Sequence, residues 1–493
     1  MNKDRDDFPV EKAVAFCRWG SIIALRKPIK VPLKSEGECA VKDKSQMMLH
    51  GPLLSNIVNY TIPIILTGVL QLLFNAADLM VVGRYCGSVS VAAVGATNSL
   101  TNLIVNLFIG LSVGAGVTVA HAIGAKNDDM VHRTVHTAIP AALVSGVFLT
   151  AVGVLFSETF LTLMGTPENV LPLSAVYMRI YFSGITFTML YNFCASILRA
   201  AGDTKSPLIY LTIAGVINVL LNLFFVTQLN MNVAGVALAT VISQAISALA
   251  LIRVLMRRSD ACRLFLAKMR FHRMQLMRII RIGLPAGIQS SLFGISNVLI
   301  QSSINSFGDI LVSGNSAAQS IDGFLYVIMN SFHQTAVNFI GQNVGAGQHK
   351  RAMKTLWICL GCTMICGISG GLFVYHFGET LLSIYITDSA EAIACGMIRL
   401  AYIGLPYFIC GLMDVSTGAL RGMGASVAPM IISVLGVCGL RVLWVSTIFQ
   451  IPAYHTPESL YFSYPVSWTV TFAIQMCAFF IVYRRHTREL VPR

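Results

Sequence analysis

Charge is scarce in this chain. Asp, Glu, Lys and Arg together make up 12% of its 493 residues, where an ordinary soluble domain carries about 25%. So little polar surface cannot cover a globule in water, and a mean hydropathy of +0.71 points the same way. Acids are the rarer sign, 22 against 35 basic residues. Signs of metal-dependent or acid–base hydrolysis are missing as well: there is no HExxH and no pair of carboxylates at helical spacing inside an apolar run. Those absences leave no acid–base or metal constellation, so no catalytic residue and no metal site are assigned. No cleavable signal peptide is visible either: the window AVAFCRWGSIIAL is short and is interrupted by Arg18.

What the chain has instead is apolar runs of the length, roughly 20 residues, that crosses a bilayer. Twelve recur, near 54–82, 91–119, 131–156, 170–197, 207–228, 234–256, 279–305, 311–340, 353–376, 392–418, 427–450 and 460–483. The class expected is an all-α polytopic membrane protein with twelve transmembrane helices. Orientation follows the basic residues, which favour the cytoplasmic side. Ten lie in residues 1–49, four in the carboxy-terminal tail, and 17 in or beside the five loops on that same side. Nine of those 17 fall between Arg253 and Arg281. Positive-inside topology thus accounts for the net charge of +13 without nucleic acid. A plasma-membrane protein with both termini in the cytoplasm is expected, with residues 1–46 as a disordered extension, 257–278 as a solvated basic linker and 484–493 as a tail. Twelve cysteines are present, most inside apolar runs. Cys359, Cys362 and Cys366 sit mid-span with no His or acidic neighbour, where Cys behaves as a small hydrophobe.

The chain is also repetitive. ILRAAGDTKSPLI (197–209) matches ALRGMGASVAPMI (419–431), and RIYFSG (179–184) matches RLAYIG (399–404). IGAKNDDMVHRT (123–134) matches VGAGQHKRAMKT (344–355), and Pro63 answers Pro285. All four offsets lie between 220 and 222 residues, so one unit of six spans occurs twice, as 47–256 and 279–483. An even number of spans returns the chain to its starting side, so the two lobes share one orientation. Doubled bundles of this kind place a cavity between pseudo-symmetric halves and alternate its exposure.

The combination of IP…NAADLMVVGR with the LRAAGDTKSP and LRGMGAS loops resembles the multidrug and toxic compound extrusion (MATE) family. The resemblance extends from about residue 47 to 485. It implies a two-lobed, cofactor-free exporter, working as a monomer, that exchanges H⁺ or Na⁺ for cationic or amphipathic small molecules. The same superfamily includes lipid-linked saccharide flippases, the alternative reading.

Three acids lie inside the spans: Asp78, Asp322 and Asp414. Each costs about 3 kcal/mol to insert and should face a cavity or find a partner. Gln71, Asn75 and Asp78 are spaced to share one face of the first span. A low-dielectric setting disfavours the carboxylate's charge, so proton uptake is one chemistry open to Asp78. Ionised, and with the amide oxygen of Asn75, it would be a hard-oxygen site suited to Na⁺. The resemblance gives Asp78 the place of the family's ion-coupling aspartate and Pro63 that of its bending proline. A proline removes a rung of the helical ladder, which is the physical warrant for a hinge at Pro63. Asn218 and Asn222 lie one turn apart on the fifth span. Some ion-coupled members carry Asp at the second position, and an amide cannot carry a proton. Likewise Phe293 stands where some members have Glu. On the eighth span Asn315, Gln319, Asp322, Tyr326, Asn330 and His333 form a polar face, expected to line the cavity with Asp414 and Arg441. Arg441 is expected to pair with Asp322 or Asp414. A single deep Arg against three acids favours cationic or neutral cargo over a pyrophosphate.

Overall fold

The computed structural model describes residues 47–387 and 389–488. The extension expected at 1–46 and the end of the expected tail lie outside the described residues. Fourteen principal helices run through the rest. In the first half they are α1 (Leu53–Tyr85), α2 (Ser88–Gly124), α3 (Asp128–Leu163), α4 (Leu171–Ser183), α5 (Ile185–Ala200), α6 (Lys205–Thr227) and α7 (Asn232–Arg257). In the second half they are α8 (Arg273–Asn305), α9 (Asp309–Gly345), α10 (His349–His376), α11 (Ala390–Gly404), α12 (Tyr407–Gly422), α13 (Val427–Gln450) and α14 (Pro457–Arg488). Each helix of the first set has its repeat counterpart seven places later.

Two of the expected spans are broken. α4 and α5 meet at Gly184 with a bend of 47°, and α11 and α12 meet after Gly404 with a bend of 41°. Gly184 and Gly404 are repeat equivalents, so the bend belongs to the duplicated unit. In the second copy Leu400–Gly404 is wound as a π-helix and Pro406 precedes α12; both are recognised causes of kinks. With each bent pair counted once, the bundle has twelve crossings. Ten are apolar throughout a membrane-length window, whereas α8 and α9, at 33 and 37 residues, are long but less apolar. Their polar residues, Gln289 and Gln301 on α8 and Asn315 and Asp322 on α9 among them, belong to the interior.

Local chemistry sets the turns. α3 begins at Asn127, whose side chain accepts from the Met130 amide at 2.9 Å, and Asp128 and Asp129 follow at the positive end of the helix dipole. α5 and α12 both stop at a glycine in the left-handed region, Gly202 (φ +86°) and Gly424 (φ +82°). This is the backbone state glycine adopts without penalty, and it explains the glycine of the repeated LRAAGD and LRGMGA motif.

The widest seam between the lobes joins α2 to α8. It is so close that a Cβ on Gly283 would lie 2.5 Å from the Leu111 Cα and 2.7 Å from the Gly110 carbonyl oxygen. The counterpart seam joins α1 to α9. There, at the repeat positions of Gly283 and Gly114, Thr61 and Thr335 share a hydrogen bond of 2.8 Å. At the end of the bundle carrying the 124–127 and 345–348 turns, two cross-lobe bonds repeat the same symmetry. His121 Nε2 on α2 donates to the Gly422 carbonyl at 2.7 Å, and Gln342 Nε2 on α9 donates to the Ala200 carbonyl at 2.7 Å. His121 and Gln342 are 221 residues apart, Ala200 and Gly422 222. That end of the bundle is shut.

The linker between the lobes is not simply solvated, as its charge suggests. Cys262 and Leu264 are buried in the same apolar cluster as α3, α5 and α7. The Phe265 amide donates to His136 Nε2 at 3.0 Å, and Arg263 and Lys268 lie over the Phe265 ring. Arg258 clasps Asp260 through Nε and Nη2. Cys262 and Leu264 anchor the segment to the first lobe, while Arg258 is folded in against Asp260. Burial pushes the Cys262 thiol up to about 12.

Candidate functional site

A cavity of about 490 Å³ opens between α8, α9, α11, α12, α13 and α14, with Asn106 of α2 on its wall. This is within the usual range for small-molecule sites. Its α8 residues run from Ser290 to Ile304, so it occupies the half of the bundle away from the shut end. Of the eight residues expected from the sequence to line it, Gln319, Asp322, Tyr326, Asp414 and Arg441 do, whereas Asn315, Asn330 and His333 are not on its wall. Arg399, Tyr407, Tyr464 and Trp468 line it too, and sequence reasoning had not placed them there.

The pairing expected for Arg441 is not the one found. Asp322 Oδ2 accepts from Arg399 Nε at 3.0 Å, with both side chains more than nine-tenths buried. Arg399 Nη1 donates to Asn315 Oδ1 at 2.8 Å, and Tyr461 donates to the same oxygen at 3.2 Å. α9 presents Asp322 and Asn315 two turns apart on one face, and α11 brings Arg399 between them. Arg441, on α13, sits instead with its guanidinium 3.8 Å from the Tyr464 ring centre and 5.6 Å from that of Trp468. Its Nε donates to Ser467 at 3.0 Å. Asp414 likewise makes no ion pair within 4 Å among the described residues, although Arg421 of the same helix lies deeper, bonded to Gln289 at 2.7 Å. His333 donates from Nδ1 to the Asp414 carbonyl at 2.7 Å, so its ring is committed to structure. The charge count assumed from sequence therefore changes. The cavity wall holds two acids and two arginines, and Asp78 is elsewhere.

Asp78 lies in the first lobe, where α1 meets α6. Asn222 Nδ2 donates to Asp78 Oδ1 at 2.5 Å and to Asn218 Oδ1 at 3.2 Å, and Asn218 donates to Thr240 at 3.4 Å. Asn218 and Asn222 are both buried, and the Asn222 Oδ1 has no partner among the described residues. No Lys, Arg or His lies within 4 Å of Asp78 among the described residues. Gln71 and Asn75 are not brought to this cluster: both are exposed on α1. The orphaned amide oxygen beside Asp78 thus belongs to α6, where Asn75 had been expected to supply it. Pro63 is buried within an unbroken α1, its carbonyl taken by Thr67 Oγ1 at 2.7 Å. Among the described residues no group of three His, Cys, Asp or Glu could hold a metal ion.

Comparison with known proteins is consistent across sequence and structure. The MatE family model matches twice, over residues 63–224 and 285–445, one match per lobe and together more than half the chain. The probable multidrug resistance protein YpnP of Bacillus subtilis is 28% identical over 404 residues, covering 81% of this chain and 89% of that protein. The probable multidrug resistance protein NorM of Thermotoga maritima is 26% identical, over 78% of this chain and 83% of its own. Among solved structures, a MATE in complex with MaL6 superposes with a TM-score of 0.84 at 19% identity, over 90% of this chain and 99% of that one. A MOP superfamily transporter from Pyrococcus furiosus also gives 0.84 at 19% identity, over 90% and 98%. At such identities the structural likeness speaks for the fold alone.

Proposed function

The chain belongs to the MatE family, and from that premise we propose that it is a secondary exporter driving amphipathic small molecules out of the cell against an inward flow of H⁺ or Na⁺. Family members are transporters and not enzymes, and similar relatives carry multidrug resistance or multidrug export names. The exported molecule occupies the cavity of the second lobe. The coupling ion is taken by Asp78, with Asn222 and Asn218 beside it. A single observation carries this assignment: of the two acids inside the spans that bond across helices, Asp322 is locked to Arg399, while Asp78 bonds only to the Asn222 amide among the described residues. An uncompensated carboxylate in this setting can bind a proton or, with the orphaned Asn222 oxygen, a hard cation.

The plasma membrane, cytoplasmic termini, a monomeric working unit and bending at Pro63 belong to the same reading. The shut end with its basic loops is then the cytoplasmic gate, and the cavity lies on the exit side. One charge moving through 100 mV supplies about 2.3 kcal/mol, roughly a fifty-fold concentration ratio at a factor of ten per 1.4 kcal/mol. A pyrophosphate-bearing lipid would want several free basic groups. The cavity has two arginines and one is already bound to an acid, which weighs against the flippase alternative. The test is uptake of an amphipathic fluorescent dye into proteoliposomes under an imposed Na⁺ or H⁺ gradient. Accumulation that depends on one gradient is expected; equal uptake with and without gradients rejects the exporter.

A further inference from the structure

The linker between the lobes lies deeper than a solvated loop would. Its Phe265 amide bonds to His136 Nε2 at 3.0 Å, and its His272 amide bonds to Thr137 Oγ1 at 3.2 Å. Those two α3 residues mark a boundary in the sequence. Ahead of them the helix carries Asp128, Asp129, His132 and Arg133, whereas residues 137–157 contain no ionisable side chain. At 1.5 Å per residue that uncharged stretch is about 31 Å long, the thickness of a bilayer's hydrocarbon core. The linker is thus bonded to α3 where hydrocarbon gives way to headgroups.

Its side chains fit that depth. Leu266, Phe271 and Met274 each leave half or more of their surface uncovered, which is unfavourable in water. Eight of the nine basic residues from Arg253 to Arg281 are exposed too, and none of the eight makes an ion pair within 4 Å among the described residues. Asp260, the one acid in that stretch of sequence, is taken by Arg258. Arg263 and Lys268 are drawn against a single ring, 4.8 and 5.0 Å from the centre of Phe265, so two cations converge with a carboxylate paired to neither. Exposed apolar side chains interleaved with uncompensated cations suit a segment lying in the membrane interface, and basic clusters there attract acidic headgroups.

We propose that the linker is a docking surface for anionic phospholipid. The acidic headgroup is bound by the unpaired basic residues of the segment, Arg263 and Lys268 first, and Leu266 and Phe271 enter the acyl region beside it. Charge selects the partner. A zwitterionic headgroup brings its own cation to a surface already crowded with them, whereas an acidic headgroup neutralises it. Because the segment is bonded to α3 and continues directly into α8, the lipid holds the junction of the two lobes at the bilayer surface. Lipid docking needs only the membrane-spanning fold, so its failure would leave the exporter reading intact.

The full-length protein is reconstituted into vesicles of phosphatidylcholine with a minor share of phosphatidylglycerol, and a fluorescent amino acid introduced by codon suppression replaces Leu266. Bromines, which quench on contact, are carried on the acyl chains of either the phosphatidylglycerol or an equal amount of the phosphatidylcholine. Both lipids are expected to quench, with phosphatidylglycerol acting as though enriched about fivefold around residue 266, the factor that one basic contact with an acidic headgroup supplies. In about 1 M salt, where charges are screened beyond about 3 Å, the enrichment should fall away while the quenching itself persists. Arg263→Gln combined with Lys268→Gln should at least halve the enrichment at low salt, and the salt series, which needs no second substitution, decides if that variant fails to fold. Absence of quenching by either lipid overturns the proposal, because the linker then lies in water. Equal quenching by the two lipids also overturns it, as does enrichment untouched by salt and by the double substitution, because the basic residues then select no partner. Loss of the enrichment on adding soluble glycerol phosphate overturns it too, since the surface would then hold free phosphate and not lipid.

Discussion

Asp322 and Arg399 provide the sharpest energetic test of how this fold holds charge within a membrane. Their contact is 3.0 Å long and both side chains are more than nine-tenths buried. At an effective dielectric near 20, two unit charges at that distance attract by about 5 kcal/mol. Much of this offsets desolvation, so the pair adds little net stability, but breaking it from one side costs about 3–5 kcal/mol. Arg399→Gln leaves Asp322 with no cation and also loses the bond to Asn315, worth about 1 kcal/mol. The single variant should therefore be destabilised by about 4 kcal/mol. Adding Asp322→Asn removes the stranded charge and should recover most of the loss, so the double variant should cost less than the two single variants added together by at least about 3 kcal/mol. Equilibrium unfolding by steric trapping in bicelles measures all four corners of the cycle. Costs that add to within about 0.5 kcal/mol would refute the reasoning, since the two groups would then not depend on each other for compensation.

Three other perturbations follow from the geometry. His121→Gln should be tolerated, because Gln342 already makes the equivalent bond at the repeat position, whereas His121→Ala strands the Gly422 carbonyl and should cost about 1–3 kcal/mol of unfolding free energy; equal stability of the two variants would contradict this. Gly283→Leu should wedge α2 from α8 and slow cross-linking of cysteines placed across the seam, and unchanged cross-linking would show that the seam has slack. In a variant keeping Cys262 as its only cysteine, maleimide labelling should be negligible near neutral pH, because the thiol is buried and its pKa stands near 12. Leu264→Ala, at about 2–5 kcal/mol of lost packing, should loosen the linker and let that labelling proceed; rapid labelling of the parent would contradict the anchoring described.

Much of this architecture can be read from the sequence, because membrane helices announce themselves by composition and the duplication by a constant offset near 221 residues. The bends at Gly184 and Gly404 could not be read that way: hydropathy records how long an apolar run is and not its direction. The linker misled for a related reason, since nine basic residues outweigh Cys262 and Leu264 in any count, though these two hold it in place. At the site, spacing put Asn218 and Asn222 on one face, and the structure keeps them there beside Asp78. Spacing also put Gln71 and Asn75 on the face of Asp78, but α1 leaves both exposed. The partner of Asp322 is 77 residues away on another helix, beyond any local pattern. Arg399 had surfaced only as a repeat landmark, opposite Arg179. That first-lobe arginine meets Glu158 in an exposed pair, so the repeat preserved the basic residue while changing its role.

Ion-driven transport after Asp78→Asn is the most direct measurement of whether the first lobe houses the coupling site. Proteoliposomes holding wild type or the variant would be given Na⁺ and H⁺ gradients separately, with the binding of cargo measured in parallel. The expected result is that wild type accumulates cargo under one gradient, while the variant binds cargo with unchanged affinity and accumulates none. Gradient-driven accumulation that persists in Asp78→Asn would contradict the assignment and move the coupling ion to another group.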